Sequence, residues 1–236
     1  MLFCIADLIT EIPATGGFSS RCEEYLYDGK NGADVIIRAD LYRREKYHPQ
    51  ADEASIAYME SAYQFYYELT KHNGFYLHAS AVAYEGRGYL FSGPCGTGKT
   101  THTRLWQQLF GEEAKVFNDD KPALRCMDGR WYAYGTPWCG KDGININMKV
   151  PLGGICFLKQ GAENRIRRLT ASEAAERIIW QTIHRFKTQE DLDRMLAYVD
   201  KLVHEIPVYE FENRPEPAAA RLSYETLRRG AEEAGL

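Results

Sequence analysis

Short apolar runs alternate with longer amphipathic stretches along the chain. Leu2 to Ile12, Tyr25 to Tyr27 and Asp34 to Arg38 read as strands separated by Gly16-Gly17 and Asp28-Gly29, predicting a small antiparallel sheet. From Ala51 to His72 the period changes. Ile56, Met59, Tyr63, Tyr66 and Tyr67 share a broad helical face, and Asn73-Gly74 ends the helix. An aromatic stripe of this kind reads as core. Phe75 to Ala83 and Gly88 to Ser92 predict two strands about a Glu85-Gly86 turn. A helix with Leu105, Trp106, Leu109 and Phe110 inward covers Thr101 to Phe110, and Lys115 to Phe117 is a short strand. Pro122 to Met127 and Trp131 to Tyr134 form a hairpin about Asp128-Gly129. Gly135 to Pro151 is polar, glycine-rich and loop-like. Beyond it the pattern predicts a strand at Gly154 to Leu158. A helix follows from Ala171 to Phe186, capped by Ser172, with Ala175, Ile178, Ile179 and Ile183 apolar. Leu192 to Val203 is a helix, Pro207 to Phe211 a strand, and Pro217 to Gly230 a charged helix.

Strand pairs in mid-chain break the βαβαβ rhythm of a parallel sheet, so the expected class is α/β with mixed β-sheets and flanking helices. Residues 1–72 read as a β-rich segment plus a helix, either a subdomain or an extension of the sheet. Residues 73–236 read as a second unit, which contains the glycine-rich loop at 93–100. No repeat or linker interrupts the chain.

One stretch carries specific chemistry. Gly93-Pro94-Cys95-Gly96-Thr97-Gly98-Lys99-Thr100 satisfies G-x-x-x-x-G-K-[ST], with a strand before it and a helix after it. Glycines allow the backbone amides between Gly93 and Thr101 to turn inward around phosphate oxygens, and the helix N-terminus adds partial positive charge. Lys99 would reach the terminal phosphates of a nucleoside triphosphate, and the Thr100 hydroxyl would be a Mg2+ ligand. Asp119-Asp120 ends the strand after the loop's helix. Carboxylates there can hold the metal and accept the proton of an attacking hydroxyl, and the pair leaves open which aspartate does which. A solvated turn is the other reading of the pair. His78 precedes the loop's strand and reads as a core histidine or a site residue. Gly135 to Gly143 contains Trp138 and Lys141. It suits a segment covering phosphates, with Lys141 stabilising transferred charge, or a plain connection packed through Trp138. Arg214 reads as a surface ion-pair former, with contact to an anionic acceptor as the other role.

Composition narrows the setting. The 236 residues are 44% hydrophobic and 13% aromatic, with a net charge of -4. This suits a packed protein without a nucleic-acid or membrane surface. No apolar run is long enough to span a bilayer, and the first residues lack a secretory pattern, so a cytoplasmic protein is expected. Cysteines at 4, 22, 95, 126, 139 and 156 show neither C-x-x-C nor zinc spacing, so reduced thiols are expected.

The ordered set resembles the HPr kinase/phosphorylase C-terminal domain, and more closely the shorter HPr-kinase-like proteins of bacteria. It comprises a His78-containing strand, a G-x-x-G-x-G-K-T loop, a helix, and a strand ending in Asp119-Asp120. The resemblance runs from about residue 75 to about 215. Pro137-Trp138-Cys139-Gly140-Lys141 and Ile206 to Phe211 look like features of the kinase-like branch. A Glu-Ile-Arg-Gly segment is absent, and Gly135 to Lys141 occupies the comparable place. The resemblance implies a phosphoenolpyruvate-carboxykinase-like P-loop fold and an ATP- and Mg2+-dependent kinase. The acceptor would be a hydroxyl of a protein, peptide or small molecule, and a homo-oligomer is compatible with it. In this reading Asp119, Asp120, His78, Lys99 and Lys141 are catalytic. Gly93 to Thr101 bind nucleotide, and Thr100, Asp119 and Asp120 bind metal. The alternative is a nucleotide switch or inactive kinase acting through a partner. A GTPase is not expected, because Asn118-Asp119-Asp120-Lys121 is not N-K-x-D.

Overall fold

The computed structural model describes residues 1–13, 19–39, 49–182 and 186–236. Gly16-Gly17 and Ile183 lie outside the described residues. Leu2 to Ile12 is not one strand. It folds back as β1 (Leu2–Ile5) and β2 (Leu8–Glu11) about Ala6-Asp7, two residues with positive φ, the geometry of a hairpin turn. β3 (Val35–Ile36) joins β2 in parallel, so this sheet is mixed and not antiparallel throughout. Most of the expected strand at Tyr25 to Tyr27 is replaced by a 3-10 helix over Ser19–Tyr25 and a single bridge from Leu26 to Phe3.

α1 (Glu53–Leu69) starts at Asp52, whose Oδ1 accepts the Ser55 amide at 2.7 Å, and a 3-10 turn carries it to left-handed Asn73. Its inward face keeps Ile56, Tyr66 and Tyr67 of the predicted one. Ile56, Ala62, Phe65, Tyr66 and Leu69 are buried, whereas Met59 is 38% exposed.

The second sheet has nine strands. They are β4 (Gly74–Tyr76), β5 (Ala79–Tyr84), β6 (Arg87–Ser92), β7 (Lys115–Asn118), β8 (Ala123–Met127), β9 (Arg130–Tyr134), β10 (Lys149–Gln160), β11 (Arg165–Arg168) and β12 (Val208–Asn213). Order runs β4-β8-β9-β10-β6-β5-β7, with β12 beside β10 and β11 beside β12. β10 is antiparallel to β9 but parallel to β6 and β12, giving a mixed α/β fold. It is much longer than the strand expected at Gly154 to Leu158, because its start pairs with β9 and its remainder with β6 and β12. β11 has no apolar pattern to announce it; tertiary pairing with β12 makes it a strand.

Period-two alternation divides the sheet's faces. Tyr89 and Phe91 of β6 pack with Trp106 of α2 (Lys99–Phe110) and Leu227 of α5 (Pro217–Glu233). Leu90 points the other way, into a core with Ile178 of α3 (Ala171–Trp180) and Met195 and Leu202 of α4 (Gln189–Glu205). α3 is capped by Thr170 and not Ser172: Thr170 and Glu173 form a reciprocal capping box. A third core joins Phe3, Ile5, Phe65 and Tyr66 to Ala123, Tyr134 and Trp138. No helix of the described residues is long and apolar enough to cross a membrane.

Candidate functional site

Strand direction assembles the site. β5 is antiparallel to both β6 and β7, pairing Ala79 with Ser92 and Ala81 with Asn118. The start of β5 therefore lies beside the ends of β6 and β7. The expected strand from Phe75 to Ala83 breaks at Leu77-His78, whose amides leave the ladder. Leu77 N–H donates to Pro122 O at 3.3 Å, and His78 N–H to Gln181 O at 2.8 Å. The Ser92 hydroxyl donates to His78 O at 2.8 Å. His78 thus sits between the glycine loop after β6 and the acidic pair after β7.

The loop takes the backbone its glycines permit. Gly98 begins α2 with φ of 95°, a conformation side-chain-bearing residues rarely adopt. Lys99 is buried, and its ammonium folds over the loop to Gly93 O at 2.9 Å and Pro94 O at 3.2 Å. Burial lowers its pKa, and the Asp120 charge partly restores it, so the two clusters share one electrostatic field. Thr97 Oγ1 donates to Pro94 O at 2.9 Å, and Gln160 Nε2 to Gly96 O at 3.0 Å. Pro94, Cys95, Gly96 and Thr101 are exposed, and Thr100 is half-buried.

Asn118 clamps the acidic pair. Its Oδ1 accepts the amides of Asp120 (3.0 Å) and Lys121 (2.7 Å), while its Nδ2 donates to Thr136 O at 3.0 Å. Tyr66 and Thr136 hydroxyls both donate to Lys121 O, at 2.5 and 2.9 Å. The two carboxylates then part company. Asp119 Oδ1 accepts the Gly140 amide at 2.5 Å, and a Cβ at position 140 would stand 2.8 Å from Asp119 Oδ2, so the close approach requires glycine. Burial pushes the Asp119 carboxyl above its usual range, against the help of Gly140, and the neighbouring Asp120 charge adds to the rise. Asp120 faces His78 Nε2 at 3.3 Å through Oδ1 and the Lys121 ammonium through Oδ2. Burial opposes its ionisation, but these two partners outweigh it and hold its pKa at about 2. His78 is oriented from behind by Gln181, with Nδ1 3.0 Å from Oε1.

A cavity of about 430 Å³ opens at Asp120, lined also by Arg21, Tyr58, Cys139, Gly140 and Lys141. Another of about 450 Å³ lies against Gly96, Gly98 and Thr101, with Gln160 and Asn213 opposite. Lys141 is an exposed member of the first. Trp138 is fully buried, stacked on Phe65 with ring centroids 4.7 Å apart and donating to Ser61 Oγ at 3.0 Å. The Pro137 to Lys141 segment is thus both a packed connection and a cavity wall. Arg214 falls outside this cavity wall; its amide donates to Asn164 Oδ1 at 2.9 Å.

Sequence reasoning missed Asn118, Gln181, Arg21 and Tyr58. Only Asn118 left a signal: an asparagine ahead of two acids at a strand end suits an Asx turn. The donors near the loop are hard oxygens, the Asp119 and Asp120 carboxylates and the Thr100 hydroxyl, which suit Mg2+ completed by phosphate and water. Among the described residues no three His, Cys, Asp or Glu side chains form a protein-only metal site.

No curated protein matches the chain. Among solved structures it is similar to the Hpr(Ser) kinase/phosphatase from Coxiella burnetii, at 14% identity and a TM-score of 0.36, over 66% of this chain and 90% of that one. A family model, SynChlorMet cassette protein ScmC, matches residues 46–214. That span covers α1, the glycine loop, His78, the acidic pair and β12, and the chain belongs to the ScmC family.

Proposed function

We propose that this chain is an ATP- and Mg2+-dependent phosphotransferase that moves the γ-phosphoryl group to a hydroxyl. The observation carrying this reading is the convergence of Lys99, His78, Asp119 and Asp120 at one end of three adjacent strands. Asp119 suits metal binding, because it is buried without a cationic side-chain partner among the described residues and has one oxygen oriented by Gly140. Bound Mg2+ would neutralise phosphate charge, held by Asp119 and Thr100. Loop amides and Lys99 would orient the nucleotide.

Asp120, ionised and aligned by His78 and Lys121, would direct the acceptor hydroxyl. As oxygen bonds to phosphorus, the bond to the β-phosphate oxygen breaks, ADP leaves, and Asp120 takes the hydroxyl proton. A carboxylate of pKa about 2 is a weak base, which suits a transfer driven by positioning and charge neutralisation. One observation favours a nucleotide switch instead: both Asp120 oxygens already have partners. Purified protein, labelled ATP and a cell extract discriminate the two. Label on a defined acceptor, lost with Lys99→Ala, supports transfer; release of free phosphate alone supports the switch; absence of nucleotide binding overturns both.

A further inference from the structure

The cavity at Asp120 has walls of unequal charge. Asp120 already faces His78 Nε2 and the Lys121 ammonium. Arg21 and Lys141 line the same cavity, and among the described residues neither pairs with a carboxylate. Nearby Asp142 is taken by Arg104 at 2.7 Å. Two surplus cations therefore face a space that reaches Asp120.

Arg21 is held in place. Its carbonyl accepts Asn145 Nδ2 at 2.9 Å, and its Nη1 lies 3.3 Å from Cys139 O and 3.5 Å from Cys139 Sγ. Its guanidinium carbon sits 5.2 Å from the Tyr58 ring centroid. Only one of its nitrogens is bonded to a protein acceptor among the described residues, leaving the rest of a rigid donor fork unspent. Tyr58 and Met59 form the adjoining wall: the Tyr58 hydroxyl donates to Cys139 O at 2.6 Å, its ring also lies 5.4 Å from the Lys121 ammonium, and Met59 is 38% exposed. The same two side chains continue into a hollow of about 160 Å³ under Tyr63, Tyr66 and Tyr76.

We infer that the acceptor is a hydroxyl compound carrying a carboxylate, bound by Arg21 and Lys141, and an apolar group that seats on Tyr58 and Met59. This rests on the phosphotransferase reading and assigns its acceptor side. The carboxylate pairs with the free guanidinium edge, while the hydroxyl reaches Asp120. A peptide with an acidic and an apolar residue near its hydroxyl, or a small apolar hydroxy acid, presents the same chemistry.

The test is transfer of labelled γ-phosphate from ATP to matched synthetic pools. One peptide pool has Ser, Thr or Tyr flanked by Asp or Glu and by Phe or Leu; its control replaces the acids with Asn or Gln. A parallel arm compares small aryl and alkyl hydroxy acids with their amides, separating the two sources. Wild-type protein is expected to label acidic members at least tenfold above their amides in one arm. Arg21→Gln should reduce that ratio below threefold. Lys141→Gln, at an exposed position without an ion pair among the described residues, should lower it in the same direction. In a third pool with Ala in place of Phe or Leu, wild-type labelling should fall, and Met59→Gln should narrow that difference.

Equal labelling of acids and amides, or a ratio unchanged in both cation variants, overturns the inference; so would a loss that strikes both pools alike, which assigns Arg21 to the transferred phosphate. If no pool is labelled while ATP is still cleaved in a Lys99-dependent way, the acceptor assignment fails and the nucleotide chemistry stands. If ATP does not bind, the phosphotransferase reading itself fails.

Discussion

The two sides of the candidate site are built in different ways. The glycine-loop side is contiguous, with Gly93 to Thr100 closing on its own carbonyls through Lys99 and Thr97. The acidic side is composite. His78, Asn118 to Lys121, Thr136 to Lys141 and Gln181 come from separate segments, and Arg21, Tyr58 and Tyr66 from the N-terminal part. A contiguous loop needs only local backbone geometry. A composite pocket depends on the register of β5, β6 and β7 and on buried polar links, so damage far along the chain reaches it.

The largest effects should separate these sides by readout. Lys99→Ala is expected to reduce phosphoryl transfer about 1000-fold and to weaken nucleotide affinity, since on the proposed reading the ammonium now held by Gly93 O would turn to the phosphates. Asp120→Asn should cost about 100-fold or more in turnover with nucleotide affinity nearly unchanged. Single-turnover assays with equilibrium nucleotide titration check both. Equal loss of affinity in the two variants would break the division.

Asn118→Ala tests the clamp. It strips an acceptor from two amides next to the acidic pair and deletes a buried donor, and should cost about 2–3 kcal/mol in urea unfolding together with most turnover. Turnover lost without loss of stability would give Asn118 a direct role instead.

The adjacent aspartates should respond to pH with opposite sign. Asp120 is depressed from 3.8 to about 2 in the folded protein, so its contribution is present above pH 4 and lost as pH falls toward 2. The difference amounts to about 2 kcal/mol. Asp119 is raised, so its ionised form is penalised in the folded state at neutral pH. Asp119→Asn should accordingly stabilise the protein at pH 7, with the gain shrinking on acidification; Asp120→Asn should destabilise at pH 7, and its deficit should shrink below pH 4 and close only as pH falls through about 2. Denaturant midpoints from pH 7 down to about pH 2 decide this. The smallest effect is expected from Cys95→Ser, an exposed loop position, with stability within about 0.5 kcal/mol of wild type by the same measurement.

What was legible in the chain follows the same division. The glycine loop, its strand and helix, the Asp128-Gly129 hairpin and most helices were readable, because turn chemistry and apolar periodicity act over a few residues. The pattern from Leu2 to Ile12 predicts one strand because Ala6-Asp7 carries no glycine signal, although both residues take positive φ. The break at Leu77-His78 was hidden too. Its cause is a set of hydrogen bonds to Pro122, Gln181 and Ser92, each far along the chain or on another strand. β11 became a strand only through its pairing with β12.

The sequence by itself determined the glycine loop, the adjacent acids and the mixed alternation of elements, since these depend on backbone permission and local period. The tertiary structure decided which side chains meet: His78 with Asp120, Gly140 with Asp119, and Arg21 and Tyr58 with the cavity wall. The physical reason is that strand direction and register join residues such as Ala81 and Asn118 that are distant in the chain, and no short window of sequence records that pairing.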